Sequence, residues 1–276
     1  MFDNNPLKQY FRRPALYVTL PSGGKYYNAN IVDMPDNGEI PVYPMTAIDE
    51  ITSKTPDALF NGLAVVEIIK SCIPNIKDPW QISGIDLDSL LIAIRMATNG
   101  NEMDIDSTCP SCSEENRYGV NLSIILGNLK SGDYDSTLPI GDLVFKFRPL
   151  TYKESNQGSL AQTEMQKVLI NLNNIQDEDQ RAKTSSEGIK KISKISMEIV
   201  ANSIESITMP QNTKVTDKKF ILDYLNNCDK TTYNTIRDFS VKLRESTEIK
   251  PLKFKCTNCG HEYEQTFTLN ISDFFE

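Results

Sequence analysis

Two C-x-x-C pairs constrain the fold of this chain more than any other feature of its sequence. Cys109 and Cys112 lie in the stretch STCPSC, and Cys256 and Cys259 lie in KCTNC, far apart in a chain of 276 residues. Each pair is followed by polar residues and then by a run typical of a β-strand, RYGVNLSIIL after the first and EYEQTFTLNI after the second. A site that uses all four thiols would therefore tie two distant parts of the chain together.

The chemistry of cysteine at this spacing predicts one closed metal site. Zn²⁺ prefers tetrahedral thiolate ligands at about 2.3 Å, and a C-x-x-C turn lets two sulfurs face one ion. We therefore predict one structural Zn²⁺ per chain, with no open coordination position, bound by Cys109, Cys112, Cys256 and Cys259. The residues alone leave open metal-free pairs, a redox dithiol and an iron–sulfur cluster. His261, the only histidine of the chain, is an alternative ligand, but four cysteines already complete a tetrahedral shell.

The rest of the sequence predicts an α+β protein in which the two C-x-x-C turns, or knuckles, belong to a zinc-ribbon-like β region. The two knuckles are separated by a long segment with apolar residues at helical spacing, which predicts an inserted helical bundle. The predicted domains are an N-terminal β segment (1–45), a helical hairpin (46–106), the zinc-ribbon-like β domain (107–150 and 251–276) and the inserted helical domain (151–250).

Turn and cap residues define the predicted elements of the first hundred residues. Strand-forming residues on both sides of Pro21–Gly24 predict a β-hairpin, or two edge strands. Thr55 is the predicted N-cap of a first helix that ends at Pro74. Asp86 or Asp88 is the predicted cap of a second helix that ends at Asn99-Gly100, which completes an αα-hairpin.

Composition and motif content argue against several classes of function. A single histidine limits general acid–base chemistry, and no P-loop, nucleophile elbow or dinucleotide fingerprint is present. The net charge is −8, and only Arg117, Lys253 and Lys255 add positive charge near the knuckles, which disfavours nucleic-acid binding. No apolar run approaches the roughly 18 residues of a membrane span, and the N-terminus lacks the apolar core of a secretory signal. We expect no catalysis, no small-molecule substrate, no membrane partner and synthesis in the cytoplasm.

Four stretches of the sequence carry a resemblance to a known family. They are IPVYPMTAIDEITSKTPDALFNGLAVVEIIKSCIPNI, DLDSLLIAIRMATNG, CPSC with the asparagine that follows it, and the terminal C-x-x-C. Together they resemble the T4-like baseplate hub proteins of tailed phages, a family also described as hub assembly chaperones.

The resemblance implies a non-enzymatic structural or assembly role in the hub of a contractile-tail baseplate. The implied partners are other baseplate or tail hub proteins, in the host cytoplasm during assembly and, for members that stay in the particle, in the virion tail baseplate. Pro41–Thr46 and Thr55–Asn61 match the family signature and form either a contact surface or a determinant of the fold. The alternatives are a zinc-ribbon nucleic-acid-binding factor of the transcription type and a metalloenzyme, which would need an open metal position.

Overall fold

The computed structural model describes residues 5–55, 62–172, 177–267, 269 and 274, and within them the chain is a mixture of helices and small antiparallel sheets. The chain forms two compact units. Unit 1 comprises residues 1–130 and 248–276, and unit 2 comprises residues 131–247. Unit 2 is therefore inserted into the sequence of unit 1, and the predicted α+β class is confirmed.

Unit 1 contains four helices and six strands within its described residues. The helices are α1 (Ala47–Ser53), α2 (Leu63–Cys72), α3 (Gly84–Asn99) and α4 (Leu122–Asn128), with short 3₁₀ turns at Pro6–Tyr10 and Pro79–Gln81. The strands are β1 (Leu16–Val18), β2 (Ile40–Val42), β3 (Glu102–Thr108), β4 (Glu115–Asn121), β9 (Leu252–Lys255) and β10 (Glu262–Gln265), which form the three antiparallel pairs β1–β2, β3–β4 and β9–β10.

The first strand pairs differently from the prediction. β1 pairs with β2, in the register Leu16↔Val42, and not with residues 25–27, so the hairpin predicted across Pro21–Gly24 is wrong. The segment after Pro21–Gly24 forms turns, and its Tyr27 is held by a buried carboxylate. Asp86 is fully buried and accepts hydrogen bonds from the Ser22 N–H at 2.9 Å, the Tyr27 hydroxyl at 2.5 Å and the Ser83 hydroxyl at 3.0 Å.

The two long helices of unit 1 supply much of its apolar core. α3 buries side chains all round, including Leu90, Ile92 and Ile94, and ends at Gly100, whose φ of 89° permits the predicted stop. The predicted N-cap residues Asp86 and Asp88 lie inside α3, since Ser83 occupies the N-cap position. The predicted start of the first helix at Thr55-Pro56 reaches outside the described residues, and α2 is described from Leu63, which is exposed.

The carboxyl group of Asp88 on α3 makes the stability of unit 1 depend on pH. Burial, and then the nearby carboxylate of Glu248, raise the pKa of Asp88 to about 7. Between the ordinary pKa near 4 and this value, the native state binds a proton that the unfolded chain has released. The free energy of unfolding therefore falls as the pH rises from about 4 to about 7.

We expect Asp88→Asn to raise the free energy of unfolding by about 2 kcal/mol at pH 8, because the amide carries no charge at this half-buried position. Near pH 4 the two proteins are expected to be equally stable. Urea unfolding at both pH values measures the difference in stability. The same change in stability with pH in both proteins would contradict the raised pKa of Asp88.

Unit 2 is built on a four-stranded antiparallel sheet covered by helices. The sheet has the order β5 (Thr137–Ile140), β6 (Leu143–Phe147), β7 (Ile204–Thr208) and β8 (Lys214–Val215), and the helices are α5 (Tyr152–Leu172), α6 (Glu178–Ser203), α7 (Lys218–Asn227) and α8 (Lys230–Glu245). The run LVFKF has the alternation of a half-buried strand: Phe145 and Phe147 are fully buried, whereas Val144 between them is exposed. The ring centroids of Phe145 and of Tyr224 on α7 are 5.9 Å apart, and those of Phe147 and of Phe239 on α8 are 5.0 Å apart.

The sheet of unit 2 departs from the sequence-based grouping of the chain in two ways. Residues 137–147, grouped with the knuckles, form the hairpin β5–β6, and because β6 pairs with β7 they belong to unit 2. The isoleucines at 204 and 207, predicted as the end of a helix, lie in β7, where Phe145 pairs with Ile207. Pairing with a buried strand overrides the helical spacing of these residues.

In unit 1, the run after the first knuckle is also helical in part, since α4 begins at Leu122 with Asn121 as its N-cap.

Candidate metal centre

The two cysteine pairs lie at the tips of two β-hairpins of unit 1. Cys109 directly follows β3 and Cys112 lies in the turn before β4, while Cys256 directly follows β9 and Cys259 lies in the turn before β10. In each hairpin the two strands stay paired as far as the turn. Thr108 lies opposite Glu115 in one hairpin, and Lys255 lies opposite Glu262 in the other. The regular hairpins thus place both turns at strand ends, where the backbone is well anchored.

The two turns have the same backbone structure, residue for residue. The N–H of Cys109 donates to the carbonyl of Glu114, and the N–H of Cys256 donates to the carbonyl of His261, both at 2.9 Å. The carbonyls of the same two cysteines accept from the residues four positions later, Ser113 and Gly260. Both of these residues have a positive φ, 59° at Ser113 and 72° at Gly260. The shared local pattern in the sequence therefore corresponds to a shared conformation.

All four sulfur atoms converge on one point. The Sγ atoms of Cys109 and Cys259 are 3.7 Å apart, those of Cys112 and Cys256 are 3.6 Å apart, and all four lie within 4.8 Å of one another. Two thiolates on a tetrahedral Zn²⁺ are about 3.8 Å apart, as follows from a Zn–S distance of about 2.3 Å. A disulfide requires about 2.05 Å, so these contacts are not covalent bonds. The residues present fit a single tetrahedral metal ion.

The surroundings of the sulfurs lower the pKa of one cysteine and raise that of another. The backbone N–H groups of Cys259 and then Asn258 hold the pKa of Cys256 well below its usual value. At Cys112, the backbone N–H of Glu114 acts to lower the pKa, but the neighbouring sulfurs and burial outweigh it and raise the pKa to about 12. Four thiols this close repel one another as thiolates, so full ionisation requires a bound cation.

One buried asparagine joins the two knuckles. Asn116 on β4 is 5 % exposed, and its Oδ1 accepts from the Thr257 N–H at 3.0 Å and from the Thr257 hydroxyl at 2.7 Å. Its Nδ2 donates to the carbonyl of Glu114 at 3.0 Å and lies 3.6 Å from the sulfur of Cys256. Asn116 therefore orients one ligand-bearing turn against the other, as outer-shell partners of metal ligands commonly do.

Aromatic side chains pack the two hairpins together behind the sulfurs. The ring of Tyr118 on β4 stacks on Phe254 of β9 with centroids 4.3 Å apart, and its hydroxyl donates to the carbonyl of Lys255 at 2.9 Å. The hydroxyls of Ser107 on β3 and Tyr263 on β10 are 2.9 Å apart. The hairpins are thus joined by aromatic packing and hydrogen bonds in addition to the cysteines.

The remaining histidine and cysteine side chains have other surroundings. Among the described residues, His261 is not one of the side chains that converge on this point, and its ring lies parallel to that of Tyr263 at 6.3 Å. Cys72 is fully buried in the core of unit 1, and Cys228 is half-buried in unit 2. Both cysteines lie outside the cluster, in positions typical of cysteines that serve packing.

Sequence reasoning did not assign a role to Asn116, Tyr118, Tyr263 or Thr257. The only available signal was the asparagine after CPSC in the family resemblance, and nothing local shows that its partner is Thr257. Such pairings depend on how the two hairpins meet, which a single sequence does not give.

The equivalent positions Ser113 and Gly260 supply a matched pair of substitutions. A residue with a Cβ atom is strained at a φ of 59°, so we expect Ser113→Gly to stabilise unit 1 by about 0.5–1 kcal/mol. The reverse change, Gly260→Ser, is expected to cost about 1 kcal/mol from the backbone alone, since a Cβ there would meet no atom within 4 Å. Urea unfolding of both variants tests the pair, and effects of the same sign would refute the proposed strain.

A protein-family model matches nearly the whole chain. The family model described as T4 bacteriophage base plate protein matches residues 17–276. The comparisons with curated proteins and with solved structures found no significant match. Within the described residues, no helix has both the length and the apolar character needed to span a membrane.

Proposed function

The chain belongs to the T4 bacteriophage base plate protein family, and from this premise we propose that it is a non-enzymatic structural or assembly component of the baseplate hub whose four clustered cysteines bind one structural Zn²⁺. In this proposal the protein acts through contacts with other baseplate or tail hub proteins. It is made in the host cytoplasm and acts there during assembly, and the finished tail baseplate is its site in the virion. The convergence of four thiols from two distant hairpins is the observation that carries the proposal.

Zn²⁺ suits the donor set better than the other candidates. Four sulfurs at tetrahedral spacing, two of them buried, leave no position for a reacting water or substrate, which supports a structural site over a metalloenzyme. A redox dithiol works with one pair of cysteines, whereas here each of the two closest contacts, Cys109 with Cys259 and Cys112 with Cys256, joins different knuckles. Zn²⁺ in such a site stabilises the fold directly.

An exposed apolar surface beside the family signature supports a role in protein contacts. Pro41–Thr46 leads into α1, where Thr46 and Asp49 form a capping box. Ile48 and Ile51 on the outer side of α1 are 75 % and 69 % exposed. Exposed apolar side chains next to each other on a helix are typical of binding surfaces. Of the second signature segment, Thr55–Asn61, the structure describes only Thr55.

Ion pairing near the cysteines weighs against the nucleic-acid alternative. Each basic side chain beside the knuckles has an acidic partner: Arg117 pairs with Asp106 at 2.7 Å, Lys253 with Glu264 at 3.6 Å and Lys255 with Glu262 at 3.5 Å. Phosphate binding would have to compete with these carboxylates, on a chain of net charge −8.

Two measurements test the proposed function separately. Elemental analysis of protein purified without added metal is expected to give about one zinc per chain. Tagged protein expressed during phage infection is expected to co-purify with tail hub proteins, and the Ile48→Asp/Ile51→Asp variant is expected to lose them while keeping its zinc. A protein that binds zinc but is absent from every tail assembly intermediate would refute the hub role alone.

A further inference from the structure

The four cysteines of the candidate metal centre divide into a buried half and an exposed half. Cys109 and Cys256 are 1 % and 3 % exposed, whereas Cys112 and Cys259 are exposed at the surface. Each turn supplies one cysteine of each kind, since the first cysteine of the turn is buried and the second is exposed. The two sides of the centre therefore differ in their access to solvent, although the two turns have the same backbone structure.

The buried half is held by contacts that do not depend on a metal ion. Cys109 and Cys256 directly follow β3 and β9, and the backbone N–H and carbonyl of each take part in hydrogen bonds across its turn. The buried side chain of Asn116 lies 3.6 Å from the sulfur of Cys256 and also accepts from the N–H of Thr257. The fold itself therefore sets the positions of these two cysteines.

The exposed half can be reached by small molecules. Cys112 and Cys259 lie within the two turns, beyond the last paired residues of the strands. The residues directly before and after each of them are exposed as well: Ser111, Ser113, Asn258 and Gly260. Because thiol reactivity follows exposure, an incoming ligand can approach these two sulfurs and cannot approach the buried two in the same way.

The contacts between sulfurs join the two halves across the hairpins. The sulfur of Cys112 is 3.6 Å from that of Cys256, and the sulfur of Cys259 is 3.7 Å from that of Cys109. Each hairpin supplies one buried cysteine, so an ion that had lost both exposed ligands would still be bound by one sulfur from each hairpin. The coordination shell can thus open on one side while the two hairpins stay joined.

We propose that the metal ion enters and leaves through the face formed by Cys112 and Cys259, with these two cysteines as exchangeable ligands and Cys109 and Cys256 as fixed ligands. This route rests on the proposed zinc site and adds the manner of exchange to it. Each step is a ligand substitution: the bond from Cys112 or Cys259 to the ion breaks as a donor atom of an incoming chelator takes its place. The released thiolate takes up a proton from water, and no electrons are transferred. A site that is closed by four ligands at equilibrium is thus open to exchange on one side.

Cysteine labelling of the wild-type, zinc-loaded chain tests the route without any substitution. The protein is mixed with the chromogenic zinc chelator pyridylazoresorcinol and with N-ethylmaleimide, and mass spectrometry locates the label as zinc is released. We expect Cys112 and Cys259 to be alkylated at least about tenfold faster than Cys109 and Cys256. Equal rates at all four cysteines would overturn the proposal, and so would labelling of both cysteines of one turn before either cysteine of the other.

Serine substitution within one turn gives a matched pair of variants. Cys112→Ser is expected to keep about one zinc per chain, because water can complete the shell on the exposed face, and to release it to the chelator at least about tenfold faster than the wild type. Cys109→Ser is expected to purify without zinc, because it removes a ligand on the buried side. Equal zinc loss in both variants would overturn the proposed route alone. A wild type without zinc would refute the proposed metal site, and the route with it.

Discussion

Cys256→Ser is expected to abolish stoichiometric zinc binding and to unfold the hairpins of unit 1 while unit 2 keeps its structure. Cys256 is 3 % exposed, its sulfur lies 3.6 Å from that of Cys112, and the amide of Asn116 points at it. A serine hydroxyl is a poor zinc ligand at neutral pH, and three remaining thiolates would repel one another. Structural zinc contributes on the order of 10 kcal/mol in small domains, so a loss of at least about 4 kcal/mol for unit 1 is expected.

Hydrogen exchange read out by mass spectrometry separates the two units in this experiment. We expect the protection of β3, β4, β9 and β10 to fall strongly in Cys256→Ser and in chelator-treated wild type, and the protection of β5–β8 to change little. Cys228→Ser is the matched control, since this cysteine lies in unit 2 and outside the cluster. Normal zinc content in Cys256→Ser, or a melting curve unchanged by chelation, would refute the shared metal site.

Asp86→Ala is expected to destabilise unit 1 by about 3–5 kcal/mol. The carboxylate of Asp86 is fully buried and accepts three hydrogen bonds, so its removal takes the acceptor from one buried donor, on Ser83, and from two half-buried donors, on Ser22 and Tyr27. It also leaves a cavity at the start of α3. The loss would loosen the segment around Ser22 and Tyr27, which depends on this side chain for its position.

A graded series distinguishes the network from simple loss of volume. Asp86→Asn keeps the shape and one acceptor oxygen, and we expect about half of the alanine effect. Tyr27→Phe removes the hydroxyl that donates to Asp86 and accepts from the Ser83 N–H, and it is expected to cost about 1–2 kcal/mol. Urea unfolding at constant pH measures all three variants. Equal costs for alanine and asparagine, or no cost for Tyr27→Phe, would argue against the network.

The sequence predicts features that depend on local patterns. It does not predict features that depend on contacts between residues far apart in the chain. The stop of α3 at Gly100 and the alternation of Phe145 and Phe147 are local, and both are observed. The two knuckles were predictable because each turn has two cysteines at the same spacing, and the structure brings their four sulfurs together. The identity of the ion stays a prediction.

The failures have a common physical cause in long-range pairing. Strand β1 pairs with β2, and Asp86, from a distant helix, holds part of the segment between them. Residues 204–208 have helical spacing, yet they form the strand next to β6. In both cases the decisive contact joins residues far apart in the sequence, and hydrophobic periodicity carries no information about such contacts.

The insertion of unit 2 between the knuckles has a consequence for synthesis on the ribosome. Cys112 and Cys256 are separated by 144 residues, which corresponds to about 7–30 s of elongation at typical bacterial and eukaryotic rates. During that interval the first knuckle exists as a half-site, while unit 2, residues 131–247, is complete before Cys256 has been made. The nascent chain thus exposes one reactive thiol pair until the second pair emerges, and metal capture becomes a late step in the maturation of the chain.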